Sequence, residues 1–166
     1  MEVARLTSDS FYALGSCGLT RMSAFGEEML LGEVSVAENG NYPTFYNGPL
    51  GCRGAHSAAP FLGSPDVVWK EGEILTLDAG FCYEGYNSDK TACYFAGARE
   101  DIPSHVRKAH ELCCKIEKYT GQALRPGAIP SELYQNALRM ADEAGFAEGF
   151  MGLKGNKVPF LGHGIG

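Results

Sequence analysis

The chain has 166 residues, of which 45% are hydrophobic and 20% charged, and it is long enough for one domain with its own core. The formal net charge of -6 argues against a nucleic-acid partner or an anionic membrane surface. No stretch has the length and apolarity of a membrane span, and residues 1–7 lack the charged-then-apolar order of a secretory signal. We therefore expect neither a nucleic acid nor a membrane as partner.

Glycine-rich loops and one short helix are predicted in the first third of the chain. A loop is expected at 15–18, followed by a helix from about 22 to 31. Asparagine, glycine and proline mark turns at 39–43 and 47–51. A strand-like piece follows at 67–69, where two valines precede a tryptophan.

A β-hairpin is predicted between residues 74 and 95. Segments 74–77 and 92–95 have the apolar, β-branched and aromatic composition of buried strands. Glu84 and Gly85 suit the tip of a two-residue turn, because glycine accepts a positive φ. With this turn, residues whose numbers sum to 169 pair across the hairpin, so the register is specified by the sequence.

This register brings two aspartates to one face of the sheet. Gly80 is expected opposite Asp89, and Asp78 opposite Thr91. Asp78 and Asp89 are then diagonal neighbours, about 7–8 Å apart at the backbone. Buried carboxylates on one face are costly unless a cation compensates them, so a divalent metal is the functional interpretation. The alternatives are a backbone-bonded turn residue for Asp78 and a polar strand end for Asp89.

Two helices and a final strand are predicted after the hairpin. Asp101 suits the N-cap of a long helix with Pro103 in its first turn. A second helix is expected from Pro130 to its glycine stop at Gly145. The predicted inward positions of the first helix are Ile102, Val106, Ala109, Cys113 and Ile116, and those of the second are Leu133, Ala137, Leu138, Ala141 and Ala144. Segment 158–166 is predicted to be a strand approach, and the fold class is α+β.

The four histidines differ in what they can do. His163 lies between two glycines, which leaves its imidazole accessible, and a neutral imidazole binds zinc, manganese, cobalt or iron. With the paired aspartates nearby we interpret it as a metal ligand, the alternative being a loop histidine. His56, after a glycine-rich loop, is either a substrate-contacting residue or a solvated one. His105 and His110 are expected on a solvated helix face.

The six cysteines include no CxxC pair. Cys113 and Cys114 are adjacent on a predicted helix, where they are poor partners for a mutual disulfide. We expect reduced thiols and a cytoplasmic location.

Three segments of the sequence resemble the pita-bread metallopeptidases. They are 71–80, 85–91 and 162–166, and the helix after Gly18, the loop at 56–60 and the two later helices fall in the matching order. This superfamily contains methionine aminopeptidase, aminopeptidase P, prolidase and creatinase, and the Xaa-Pro peptidase branch is the most similar. The resemblance implies an α+β, partial pita-bread fold that lacks its last strands.

The resemblance also implies a function. Asp78, Asp89 and His163 would be ligands of two divalent ions, which are manganese, cobalt, iron or zinc in this family. His56 would contact the substrate near the scissile bond. The implied reaction is metal-assisted hydrolysis of the first peptide bond of a small peptide, with proline in the second position.

The resemblance further implies that residues 1–166 are a catalytic-type domain incomplete at its C-terminus. Two glutamate ligands and a second histidine would follow Gly166, and the N-terminal accessory domain of the Xaa-Pro branch would be missing. We therefore expect this polypeptide alone to bind metal weakly and to be inactive. Lys90-Thr91-Ala92 departs from the Thr-Arg of many members.

Two questions stay open at this stage. One is whether exposed sheet edges drive homodimer formation. The other is whether the protein is instead a non-catalytic pita-bread protein that binds a peptide or a partner.

Overall fold

A computed structural model describes residues 1–21, 28–40 and 65–165. The described α-helices are α1 (Glu2–Ala13), α2 (Ser104–Ala123) and α3 (Pro130–Glu143). The described strands are β1 (Thr20–Arg21), β2 (Glu28–Met29), β3 (Gly32–Val36), β4 (Ile74–Tyr83), β5 (Tyr86–Phe95), β6 (Gly152–Leu153) and β7 (Asn156–Lys157). This mixture of helices and antiparallel sheet is the α+β class that the sequence predicts. None of the helices in these ranges is long and apolar enough to cross a bilayer.

The described residues form two compact units. The first comprises Met1–Gly97 together with His163–Gly166, and the second comprises Ala98–Gly162. The first contains an antiparallel sheet in the order β3-β4-β5.

The β4–β5 hairpin has the register that the sequence predicts. Asp78 pairs with Thr91 and Gly80 with Asp89. The turn is tight because Glu84 and Gly85 have φ values of 50° and 87°, the left-handed values that a two-residue turn with the correct twist requires. Both aspartates therefore project from one face of the sheet.

The opposite face of the sheet carries the apolar core of the first unit. Leu75 and Val34 pack there with Ala4 of α1. The rings of Phe11 and Phe81 meet edge to face, with centroids 5.1 Å apart. α1 thus covers the apolar face of the sheet and not the face that carries the aspartates. α1 was not predicted from the sequence.

The predicted helix at 22–31 is wrong over residues 28–31. β1 and β2 pair instead, with Thr20 opposite Met29, and Leu31 has a φ of 67° that no helix contains. Residues 28–31 are all good helix formers, but pairing between strands outweighed this local preference, as tertiary context often does. Residues 22–27 lie outside the described ranges, as do the predicted turn at 47–51 and residues 41–43 of the other predicted turn.

Two strand predictions need correction. Residues 67–69 form no strand, and Trp69 instead donates its indole N–H to the carbonyl of Glu73 at 3.0 Å. Residues 158–165 have no regular secondary structure. β3 was not predicted, although it pairs with β4 along its whole length.

The second unit consists mainly of α2 and α3. α2 begins at Ser104 with Pro103 as its N-cap, not at Asp101, because residues 99–101 form a 3-10 turn. Its buried residues are Leu112 and Ile116, whereas the predicted Cys113 is exposed.

α3 begins at Pro130, as predicted, and it stops before Gly145, as predicted. Ala137 and Ala141 are fully buried, whereas Leu138 is half-buried and Ala144 exposed. Gly145 has a φ of 78°, which terminates the helix in the left-handed conformation that glycine adopts without strain.

Candidate metal centre

Asp78 lies in the middle of β4 and is held by its cross-strand neighbour. The Thr91 hydroxyl donates to Oδ1 of Asp78 at 2.5 Å. The side chains can meet because directly paired residues share a face of the sheet. The bond orients one carboxylate oxygen and leaves Oδ2 available for other interactions. Thr91 is therefore a positioning residue, a role that the sequence analysis did not assign to it.

Asp89 is a half-buried aspartate whose surroundings shift its pKa. Its side chain is 22% exposed. Burial raises the pKa of Asp89, the negative charge of Asp78 raises it further, and His163 acts in the opposite direction. The two carboxylates are therefore close enough across the hairpin for the negative charge of Asp78 to disfavour ionisation of Asp89.

His163 approaches Asp89 from the end of the described chain. Its Nε2 atom lies 3.5 Å from Oδ2 of Asp89. Its Nδ1 atom lies 2.8 Å from the carbonyl oxygen of Gly164, and because a carbonyl only accepts, Nδ1 carries the hydrogen. In the neutral ring the Nε2 lone pair then faces the carboxylate, an arrangement that a proton or a cation would stabilise.

A third carboxylate lies on the same sheet. Glu33 of β3 is directly opposite Asp78 in the β3–β4 register, and it is 1% exposed. Glu33 was not among the predicted site residues, because β3 was not predicted from the sequence. A charged residue inside the short segment Gly32-Glu33-Val34-Ser35-Val36 was the available signal.

The structure brings together three of the four predicted site residues, and their role as ligands stays a prediction. Asp78, Asp89 and His163 all belong to the first compact unit. His56 lies outside the described ranges. His105 and His110 are exposed on α2, as expected. Within residues 1–21, 28–40 and 65–165, no group of three or more His, Cys, Asp or Glu side chains is arranged so that it could hold a metal ion.

The chemistry of this donor set fits a divalent cation. Carboxylate oxygens and a neutral imidazole nitrogen are ligands that manganese, cobalt, iron and zinc accept. Two observations agree with this fit: the raised pKa of Asp89, to which Asp78 contributes, and the Nε2 atom of His163 directed at a carboxylate. A cation between the two carboxylates would offset the repulsion by which Asp78 raises the pKa of Asp89.

Comparison with curated proteins places the sequence among peptidases. Residues 17–166 match the metallopeptidase family M24. A probable dipeptidase PepE of Mycobacterium bovis is 33% identical over 114 residues, which are 68% of this chain and 28% of that protein. A Xaa-Pro dipeptidase of Pyrococcus furiosus is 28% identical over 113 residues, which are 68% of this chain and 30% of that protein. The chain thus spans less than a third of the length of these relatives.

Comparison with solved structures identifies the fold of the chain. The prolidase of Pyrococcus horikoshii OT3 superposes with a TM-score of 0.67 at 20% identity, over 99% of this chain and 37% of that chain. The X-Pro aminopeptidase of Thermotoga maritima superposes with a TM-score of 0.62 at 21% identity, over 89% of this chain and 33% of that chain. The described structure corresponds to part of the pita-bread fold. With residues 17–166 matched, the chain belongs to the metallopeptidase family M24.

Proposed function

We propose that the protein containing this chain is a metal-dependent peptidase that hydrolyses the N-terminal peptide bond of small peptides, of the Xaa-Pro dipeptidase or aminopeptidase type. Membership of family M24 supports a metallopeptidase. The Xaa-Pro dipeptidase of Pyrococcus furiosus and the other relatives support the substrate class. The dinuclear site and its ions, manganese, cobalt, iron or zinc, are part of the proposal.

The observation that carries the proposal is the approach of His163 to the aspartate pair. Asp78 and Asp89 share one face of the hairpin, and Nε2 of His163 lies 3.5 Å from Asp89. Two carboxylates that lie together in a half-buried place are costly unless a cation or hydrogen-bond donors compensate them.

Each residue has a defined task in this proposal. Asp78, Asp89 and His163 would hold the ions, which when bound supply Lewis-acid activation of water and of the peptide carbonyl. Thr91 fixes the orientation of the Asp78 carboxylate, and the Gly164 carbonyl fixes the proton of His163 on Nδ1. His56 would contact the substrate beside the scissile bond.

Hydrolysis by the complete gene product tests the activity. Xaa-Pro dipeptides and tripeptides are offered with and without a chelator. We expect hydrolysis that the chelator abolishes and that added Mn²⁺, Co²⁺, Fe²⁺ or Zn²⁺ restores. Asp89→Asn should reduce kcat/KM by more than about 100-fold, because loss of an outer-shell partner alone costs 10–100-fold. Asp101→Asn, which changes an exposed carboxylate outside the sheet, serves as the control. Chelator-resistant hydrolysis would contradict the proposal.

Metal binding by this chain alone tests the incomplete site. We propose that three ligands hold manganese weakly, so isothermal titration should show no tight, stoichiometric binding of two ions. Tight binding of two Mn²⁺ ions per chain would show that the three residues suffice, and the incomplete-site proposal would be wrong.

A non-catalytic peptide- or partner-binding protein is the second candidate. One observation favours it: the part of the chain that the structure describes contains no group of three or more His, Cys, Asp or Glu side chains that could hold a metal ion. A complete gene product that binds Xaa-Pro peptides without hydrolysing them, with no dependence on metal, would support this candidate.

A further inference from the structure

A pair of thiols lies beside the candidate metal centre and has no part in the proposed chemistry. Cys17 follows α1 in the loop that leads to β1, and Cys82 lies near the end of β4. The backbone N–H of Cys17 donates to the carbonyl of Cys82 at 3.0 Å. The two side chains are close enough for each thiol to shift the pKa of the other. Backbones joined in this way have Cα separations of about 5 Å, within the range that a disulfide spans.

The loop that carries Cys17 is held against β4 on both sides of the thiol pair. A Cβ atom added to Gly15 would lie 3.0 Å from the Tyr83 ring, and one added to Gly80 would lie 2.7 Å from Thr20. The loop and the strand therefore run past each other in a defined alignment. This alignment holds the backbones of Cys17 and Cys82 side by side, at a separation that a disulfide can span.

The two thiols are suited to different steps of an exchange reaction. Cys17 is exposed, whereas Cys82 is buried. Hydrogen bonds with the backbone of Leu19 and with the Cys82 thiol lower the pKa of Cys17, and the same thiol–thiol bond raises the pKa of Cys82. An exposed thiol with thiolate character attacks first, and a neighbouring thiol resolves the product.

We propose that Cys17 and Cys82 form a reversible disulfide by exchange with a small-molecule disulfide of the glutathione class. The Cys17 thiolate attacks one sulfur of that disulfide, its S–S bond breaks, and one small thiolate leaves. Cys82 then loses its proton and attacks Sγ of Cys17, which releases the second small thiol. The pair is oxidised by two electrons, and the small disulfide is reduced to two thiols.

The bond would tie the loop before β1 to the strand that carries Asp78. Cys82 follows Asp78 by four positions on β4, so both side chains project from the same face. Oxidation would therefore lower the mobility of the sheet face that carries the candidate metal centre. The proposal does not depend on the peptidase function, because its readout is a covalent bond.

The test incubates the unmodified chain with mixtures of reduced and oxidised glutathione. The thiols are then trapped with a maleimide and analysed by intact-mass spectrometry and peptide mapping. We expect a loss of two hydrogens, two fewer maleimide adducts, and one linked peptide pair that contains Cys17 and Cys82. A dithiol reductant should restore both adducts.

Variants separate the two steps. Cys82→Ser should accumulate a stable glutathione adduct on Cys17 at least about tenfold above the level in the unmodified chain, because the resolving thiol is gone. Cys17→Ser should leave Cys82 unmodified. Cys93→Ser removes another exposed thiol, which lies in β5, and should behave like the unmodified chain.

Two results would overturn the proposal. One is that Cys17 and Cys82 keep both maleimide adducts under oxidising mixtures that modify Cys93. The other is that the linked peptides contain other cysteine pairs as often as this one. Peptide mapping of the unmodified chain decides the question even if a variant fails to fold.

Discussion

At the scale of single residues, the site combines groups that oppose one another in the absence of a cation. Asp89 is half-buried and lies near a second negative charge, and both effects raise its pKa. His163 offsets part of this effect. The structure therefore stores an electrostatic cost at Asp89 that a bound ion would offset.

The first prediction concerns Asp89→Asn in the presence of a chelator. Because the pKa of Asp89 is raised in the folded state, the native chain holds this proton more tightly than the unfolded chain does. The stabilisation that the proton provides is complete below the ordinary pKa and is lost as the pH rises through the raised pKa. Asparagine does not ionise, so Asp89→Asn should not lose stability in this way as the pH rises. We expect it to be more stable than the unmodified chain at neutral pH. The difference should be at most about 1 kcal/mol, because solvent screens a partly exposed charge.

Urea denaturation from acidic to neutral pH measures this difference. The free energies of unfolding of Asp89→Asn and of the unmodified chain should diverge as the pH rises. Asp101→Asn is the control, and its profile should follow that of the unmodified chain. Parallel profiles for Asp89→Asn and the unmodified chain would contradict the prediction.

The second prediction concerns the hydroxyl of Thr91. Thr91→Val keeps the shape of the side chain and removes the donor to Asp78. Since loss of an outer-shell partner reduces metal affinity by about 10–100-fold, we expect weaker Mn²⁺ binding by the complete protein with little change in stability. Titration calorimetry measures the affinity.

Two control variants accompany Thr91→Val. Thr91→Ser keeps a hydroxyl and should retain most of the affinity. Ser88→Ala removes a hydroxyl that donates to the Phe81 carbonyl at 3.3 Å on the other face of the hairpin, so it should leave the affinity unchanged. Equal losses in Ser88→Ala and Thr91→Val would mean that hairpin stability, not the orientation of Asp78, sets the affinity.

At the scale of elements, β1 and the loop before it are held against the β4–β5 hairpin, which carries the two aspartates. β1 crosses close to β4 because Gly80 has no side chain at the point of contact with Thr20. The backbone N–H of Arg21 also donates to Oδ1 of Asn87 at 3.3 Å, which links β1 to β5. These contacts fix the loop that carries Cys17 as well as the face that carries the aspartates.

The third prediction tests the close approach at Gly80. In Gly80→Ala the new Cβ would lie 2.7 Å from the Thr20 side chain, so β1 must move away from β4. We expect a loss of stability of about 1–3 kcal/mol, as for other overpacked sites. Thermal and urea denaturation measure the change.

Gly121→Ala provides the matched control for Gly80→Ala. Gly121 lies inside α2 with open space around its Cα, so the same substitution should stabilise the chain by about 0.5–1 kcal/mol. A Gly80→Ala variant that is as stable as Gly121→Ala would show that β1 does not press against β4.

At the scale of the whole molecule, the two compact units have separate apolar cores. The first core contains Ala4, Leu31, Val34 and Leu75. The second contains Leu112, Ile116, Ala137 and Ala141. Stability within each unit should therefore depend mainly on its own core.

The fourth prediction tests this separation with Ala137→Leu. Ala137 is fully buried between α2 and α3, so a larger side chain should cost about 1–3 kcal/mol. Hydrogen exchange followed by mass spectrometry should show lower protection in α2 and α3 than in β4 and β5. Ala144→Leu is the control because Ala144 is exposed. A uniform loss of protection across both units would contradict the prediction.

Local physical rules explain which predictions from the sequence succeeded. The hairpin register follows from a two-residue turn, because the turn sets the pairing and the period of two sets the faces. Both positive φ values at Glu84 and Gly85 agree with that turn. α3 was located by Pro130 and Gly145, which act within one turn of the helix ends. For these elements the nearest neighbours in the chain hold most of the information.

The remaining features depend on contacts between distant segments. β3 contains Glu33 and Ser35, and its short polar pattern becomes a strand only where β4 supplies the hydrogen bonds. The proximity of His163 to Asp89, and of Cys17 to Cys82, also joins residues far apart in the chain. The sequence by itself thus determined the face shared by the two aspartates. Only tertiary packing decided which imidazole and which thiols lie beside them, because long-range contacts depend on the whole core and not on local backbone preferences.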